Sequence, residues 1–127
     1  MTARISLNLK KVVKMTSYEK MIHILHNKDF ELLEHWVAED FILIFESQMH
    51  NRNDFLERVK AGLKSIENIS DYFYEEECLF VNDEIMNYSR LEKQDDGVYR
   101  VVGMALMNTE GKLWRIVERI TKVEVKK

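Results

Sequence analysis

The sequence predicts an α+β fold, with three helices toward the N-terminal side packed on a mostly antiparallel sheet. Three observations predict it. Apolar residues recur at helical spacing in three stretches between residues 16 and 64. Beyond residue 72 the pattern changes to strand-like segments joined by short turns. No segment repeats another, and 127 residues amount to one domain's worth of chain.

The elements follow in order. Residues 1–15 read as a strand-like or disordered arm, and residues 16–127 as the domain. The arm carries Arg4, Lys10, Lys11 and Lys14 with no acid before Glu19, and Ile5, Leu7 and Leu9 alternate with polar residues. It lacks the long apolar core and small-residue cleavage site of a secretory leader. Thr16 and Glu19 form a capping box that opens the first helix, with Tyr18, Met21, Ile22 and Leu25 on one face and Asn27 as its stop. Asp29 caps a second helix, in which Phe30, Leu33, Trp36 and Val37 repeat at helical spacing. Phe41 to Phe45 is too short for a helix and suits a buried strand. A third helix begins near Asn53, with Phe55, Leu56, Val59 and Leu63 inward and acids and lysines placed to suit its dipole.

Strands are then expected over Tyr72 to Val81, Ile85 to Leu91, Val98 to Met107 and Leu113 to Val123. Asn82-Asp83, Asp96-Gly97 and Asn108 to Gly111 supply the turns between them.

Composition narrows the function. Hydrophobic residues make up 46% and charged residues 32%, ordinary proportions for a globular protein. A net charge of -3 speaks against a nucleic-acid partner. No apolar run approaches the roughly 20 residues that span a bilayer, so no membrane partner is expected. The single cysteine, Cys78, has no internal partner for a disulfide, which fits a cytoplasmic protein. Phosphate-loop, nucleophile-elbow and dinucleotide fingerprints are all missing, and no cofactor is expected.

Four pieces of the chain carry a resemblance. They are Lys28-Asp29-Phe30 with Leu33 and Trp36; Ala38-Glu39-Asp40-Phe41 leading into the first strand; Asn51-Arg52-Asn53-Asp54-Phe55 leading into the third helix; and Glu110-Gly111-Lys112-Leu113 opening the last strand. In order and spacing they resemble the nuclear transport factor 2-like superfamily over about residues 17 to 123. The resemblance implies a cone-shaped α+β barrel, its helices packed in the hollow of a curved sheet. That superfamily includes ketosteroid isomerases, SnoaL-like cyclases and many binding modules, so the fold leaves the function open.

Laid on the ketosteroid isomerase pattern, the catalytic positions fall on Phe45 for the base, Met21 for the tyrosine and Gly103 for the acid, and none can perform its role. A register slip of one would put Glu46 at the base position. On the last strand, alternation and the family pattern place Trp114, Ile116 and Glu118 inward. Ile116 and Glu118 stand where SnoaL-like cyclases carry a histidine and an aspartate, which makes Glu118 the best candidate for a catalytic acid or base. Tyr18 on the first helix and Asn87 on a strand are weaker candidates for orienting a ligand. The expected pocket is therefore Tyr18, Met21, Trp36, Phe45, Asn87, Gly103, Trp114, Ile116 and Glu118.

Glu19, His23 and His26 have metal-ligand spacing, but they lie on the helix face opposite the apolar one, and no metal is expected there. His50 reads as a loop residue without a partner acid.

Val101 to Met107 is apolar on both faces. If Val101, Gly103, Ala105 and Met107 line the cone, then Val102, Met104 and Leu106 lie uncovered, and Leu113 and Val117 extend the patch. Such a face predicts a homodimer formed sheet to sheet. Three readings remain open: a dimeric cone holding a small hydrophobic molecule; a SnoaL-like enzyme of isomerase, cyclase or dehydratase type acting on a carbonyl compound through Glu118; and a scaffold whose sheet binds another protein.

Overall fold

The computed structural model describes residues 15–123; the basic arm before them falls outside the described residues. Helices α1 (Ser17–Asn27) and α2 (Phe30–Trp36) lead into strands β1 (Val37–Phe45) and β2 (Gln48–Asn51). Helix α3 (Arg52–Lys64) and a 3-10 turn (Ile69–Asp71) follow. Strands β3 (Phe73–Val81), β4 (Ile85–Gln94), β5 (Gly97–Met107) and β6 (Leu113–Lys122) complete the chain. The third helix thus sits behind a strand pair rather than beside the first two.

Local chemistry sets the helix ends as expected, with small shifts. The Thr16–Glu19 capping box is present in both directions, and the Asp29 side chain accepts from the Leu32 N–H. Lys28, not Asn27, takes the left-handed position that ends α1 (φ 52°). Asn51 caps α3 by accepting from Asp54 N–H, so that helix starts before Asn53.

The six strands run β2-β1-β6-β5-β4-β3, with β1 parallel to β6 and every other pair antiparallel. β2 was not anticipated: Gln48–Asn51 is polar apart from Met49 and pairs on one side only, and it places His50 in a strand rather than a loop. The β4–β5 hairpin closes on Gln94 opposite Gly97, so its loop is Asp95-Asp96, one residue earlier than expected, and Gly97 (φ 143°) opens β5.

The three helices pack on one face of this sheet. Ile24, Leu33, Trp36, Phe41, Phe55, Met86, Ala105 and Ile116 are among the buried residues of the main cluster. Each fully buried large side chain contributes about 1.5–3 kcal/mol. A smaller cluster of Leu63, Ile66 and Ile69 seals the end of α3 with help from Phe73. At the opposite end the Trp36 indole N–H donates to the Gly111 carbonyl at 3.1 Å, tying α2 to the β5–β6 turn.

A β-bulge changes which residues face inward on β6. Met107 pairs with Leu113 but Leu106 pairs with Arg115, leaving Trp114 as the extra residue. Leu113 is therefore buried (2% exposed) against the core, which removes it from the expected outer patch. Trp114 leaves the expected pocket: its indole donates to Asp40 at 3.2 Å, and the Arg115 guanidinium lies 4.1 Å from its ring. Beyond the bulge the alternation resumes, and Ile116 and Glu118 face inward as expected.

Candidate functional site

Between the helices and the sheet lies a cavity of about 240 Å³. Its walls are mostly apolar. Met21, Ile24 and Leu25 come from α1, Leu33 and Trp36 from α2, Phe55 and Val59 from α3, and Leu43, Phe45, Met86, Leu113 and Ile116 from the sheet. Four polar side chains also line it: Arg58, Tyr88, Arg90 and Glu118. Met21, Trp36, Phe45, Ile116 and Glu118 were expected there.

Strand register brings the polar group together. Phe45, Glu118, Gly103 and Tyr88 are consecutive partners across β1, β6, β5 and β4, so they form one row on the inner face. A Cβ at Gly103 would fall on the Tyr88 ring, against Cζ, Oη and Cε2. Gly103 thus leaves a floor on which the phenol lies, and the ring reaches over it to the next strand. There the Tyr88 hydroxyl donates to Glu118 Oε2. Arg90, two residues along β4, sits 3.5 Å from the same oxygen and 2.8 Å from Glu92 Oε1. Its guanidinium also lies 5.5 Å from the Tyr88 ring and 5.6 Å from the Phe73 ring.

The electrostatics fit this geometry. Burial works against the charge of Arg90, but Glu118 and Glu92 outweigh it and hold the guanidinium above its ordinary range. Burial and the Glu118 charge push the Tyr88 phenol well above its ordinary value, so it remains a hydrogen-bond donor. Both contacts fall on Oε2 of Glu118. Oε1 makes no hydrogen bond among the described residues, although Glu118 lines the cavity.

Several expected site residues lie elsewhere. Asn87 is on the outer face, since its neighbours Met86 and Tyr88 face in. Tyr18 packs against the core without lining the cavity, and its hydroxyl is raised by burial and by nearby Glu76. Gly103 is on the inner face but beneath the Tyr88 ring rather than open to the cavity. Glu46 stands at a sharp turn (φ 55°) where its carboxylate accepts from the Ile120 N–H at 2.6 Å, so it closes the end of the β1–β6 pair. The helix α1 trio is divided among three partners: Glu19 caps Thr16, His23 pairs with Asp29 at 2.8 Å, and His26 pairs with Glu76. Among the described residues no three potential metal ligands cluster, and no helix is long and apolar enough to cross a membrane.

No family model and no curated protein matches this chain in sequence. Solved structures do match in fold. One is a SnoaL-like family protein from Agrobacterium tumefaciens, at 13% identity and a TM-score of 0.53 over 76% of this chain and 83% of that one. Another is an NTF-2-like protein of unknown function from Silicibacter pomeroyi, at 12% identity and a TM-score of 0.52 over 95% of this chain and 99% of that one. A third, from the same organism, has a cystatin-like fold, with 13% identity and a TM-score of 0.57 over 84% of this chain and 77% of that one. The chain has the nuclear transport factor 2-like fold. At these identities the likeness concerns architecture, and the chemistry rests on the side chains in the cone.

Proposed function

We propose that the domain binds a small, mostly apolar molecule in the cone and anchors it through Glu118. The observation that carries this reading is the polar group in an apolar cavity: one oxygen of Glu118 is held by Tyr88 and Arg90, and the other is left for a ligand. A carboxylate oxygen accepts hydrogen bonds, so the ligand would carry a donor such as a hydroxyl. An apolar cavity of about 150 Å³ holds benzene, so this one suits a molecule of about ten non-hydrogen atoms.

The enzyme reading has less support. It asked Tyr18 or Asn87 to orient a carbonyl substrate, and neither lines the cavity. Glu118 Oε2 accepts from the phenol and has the Arg90 guanidinium 3.5 Å away as an ion-pair partner, an arrangement suited to holding a group in place.

Calorimetric titration with small phenols and alcohols tests the binding reading. Saturable one-site binding that Glu118→Ala weakens at least tenfold is expected. Absence of saturable binding, or binding indifferent to Glu118→Ala, overturns it.

We also propose a homodimer through the outer sheet face. Phe80, Asn87, Met104, Val117, Ile44 and Met49 are consecutive partners across all six strands, forming one row on the face opposite the cone. Phe80, Met104, Val117 and Met49 are exposed in the single chain, as is Val102 beside them, while Leu106 is half-buried on the same face. The exposed apolar residues of this row, interrupted at Asn87, support a protein partner, and a second copy offers a matching stripe. A scaffold role for this face would use the same residues.

A further inference from the structure

We propose that Tyr88 is the specificity-determining residue of the cavity: it limits the ligand to a single ring, or an equally compact aliphatic body, bearing a hydrogen-bond donor. This inference rests on the cone being a ligand site.

Three features of the structure carry it. The Tyr88 ring fills the space that a side chain on β5 would otherwise take, because position 103 is glycine. The ring is also fixed. Gly103 lies beneath it, the Arg90 guanidinium is 5.5 Å from its centroid, its hydroxyl bonds Glu118, and only 1% of the residue is exposed. It cannot swing aside for a larger ligand without giving up the Glu118 contact. Finally, the volume it fills adjoins both the open cavity and the proposed anchor, since Tyr88 and Glu118 line the same space.

The strand-borne walls Leu43, Phe45 and Ile116 carry no polar atom to bond Glu118, and the remaining large wall residues differ in kind. Ile24, Leu33 and Phe55 belong to helices and dock those helices onto the sheet. Shrinking one of them loosens a helix. Met21 and Met86 are flexible and would adapt to the shape of a guest. Tyr88 stands on a strand held by backbone ladders to β3 and β5, so its side chain can be shortened while the wall behind it stays in place.

The experiment is a calorimetric size series on the full chain, with 4-ethylphenol as the compact probe and 9-phenanthrol, a three-ring phenol, as the large one. The wild-type protein is expected to bind 4-ethylphenol at least tenfold more tightly than 9-phenanthrol. Tyr88→Ala is expected to tighten 9-phenanthrol at least tenfold over wild type. Tyr88→Phe, which keeps the ring, is expected to retain the wild-type preference. Circular dichroism establishes that each variant is folded, and Tyr88→Leu replaces Tyr88→Ala if the latter is not. Wild-type protein that binds both probes equally overturns the inference, as does a folded small-side-chain variant with the wild-type preference. A wild-type protein that binds neither probe removes the ligand reading itself, and the inference with it.

Discussion

Tyr88 lies on Gly103, directly opposite on the neighbouring strand, and occupies the space that any side chain at 103 would need. With no side chain at 103 in the way, the phenol reaches across β5 to β6, where its hydroxyl donates to Glu118, the partner of Gly103 on that strand.

Gly103→Ala is therefore expected to displace the phenol and cost about 1–3 kcal/mol, the usual range for overpacking. Combined with Tyr88→Ala, most of that cost should disappear, because the two side chains compete for one space. Urea unfolding of the two single variants and the double variant measures the coupling.

Glu118→Leu leaves Arg90 buried with Glu92 as its remaining ion-pair partner among the described residues. Breaking a buried pair from one side costs about 3–5 kcal/mol. Because Glu92 still compensates Arg90, the same denaturant experiment should return a smaller loss, about 1–3 kcal/mol, set mainly by the buried Tyr88 hydroxyl left without its acceptor. Arg90→Met together with Glu118→Leu should cost clearly less than the two losses summed.

The Tyr88 phenol gives a stability signature at alkaline pH. In the unfolded chain it titrates near its ordinary value of about 10, while burial and the Glu118 charge hold it higher in the folded protein. The unfolded chain thus loses this proton first. Stability linked to Tyr88 is whole below about pH 10 and falls as pH rises toward the folded group's value. Tm measured from about pH 9 to 11.5 should drop more steeply for wild type than for Tyr88→Phe; parallel curves would contradict the assignment.

Met104→Lys and Val117→Lys place charges in the middle of the outer stripe, at positions 38% and 37% exposed in the single chain. Sedimentation analysis should find a dimer for wild type and a monomer for the variants, with unchanged circular dichroism. Identical masses for all three proteins would contradict the dimer.

Much of the fold was legible because its signals are local. Thr16, Glu19 and Asp29 act within one turn of their helices, and the apolar spacing of α1 to α3 needs no partner to be read, although Ile24 is the buried residue of α1 where Ile22 was expected inward, and Val37 begins β1 where it was expected in the second helix. Glu118 was legible because β6 alternates cleanly beyond Ile116 and the family resemblance says which of its two faces turns inward. Tyr88 and Arg90 were not, since β4 carries buried residues on both faces, among them Met86 and Leu91, and alternation alone does not choose between them. The hairpin pairing would have chosen: counting back from Gln94 opposite Gly97 puts Tyr88 against Gly103, and even a loop at Asp96-Gly97 would put it against Ala105, on the same inner face. The Trp114 bulge was hidden for a similar reason, because an extra residue reveals itself only in the pairing of two strands.

The claim that the cone holds a small donor-bearing molecule is tested most directly by methyl-resolved NMR during titration with 4-ethylphenol. Saturable shifts at Met21, Leu43, Met86 and Ile116, with Met104 and Val117 unmoved, are the expected result. A titration that leaves the four cavity methyls unchanged, or moves only the outer-face pair, would contradict it.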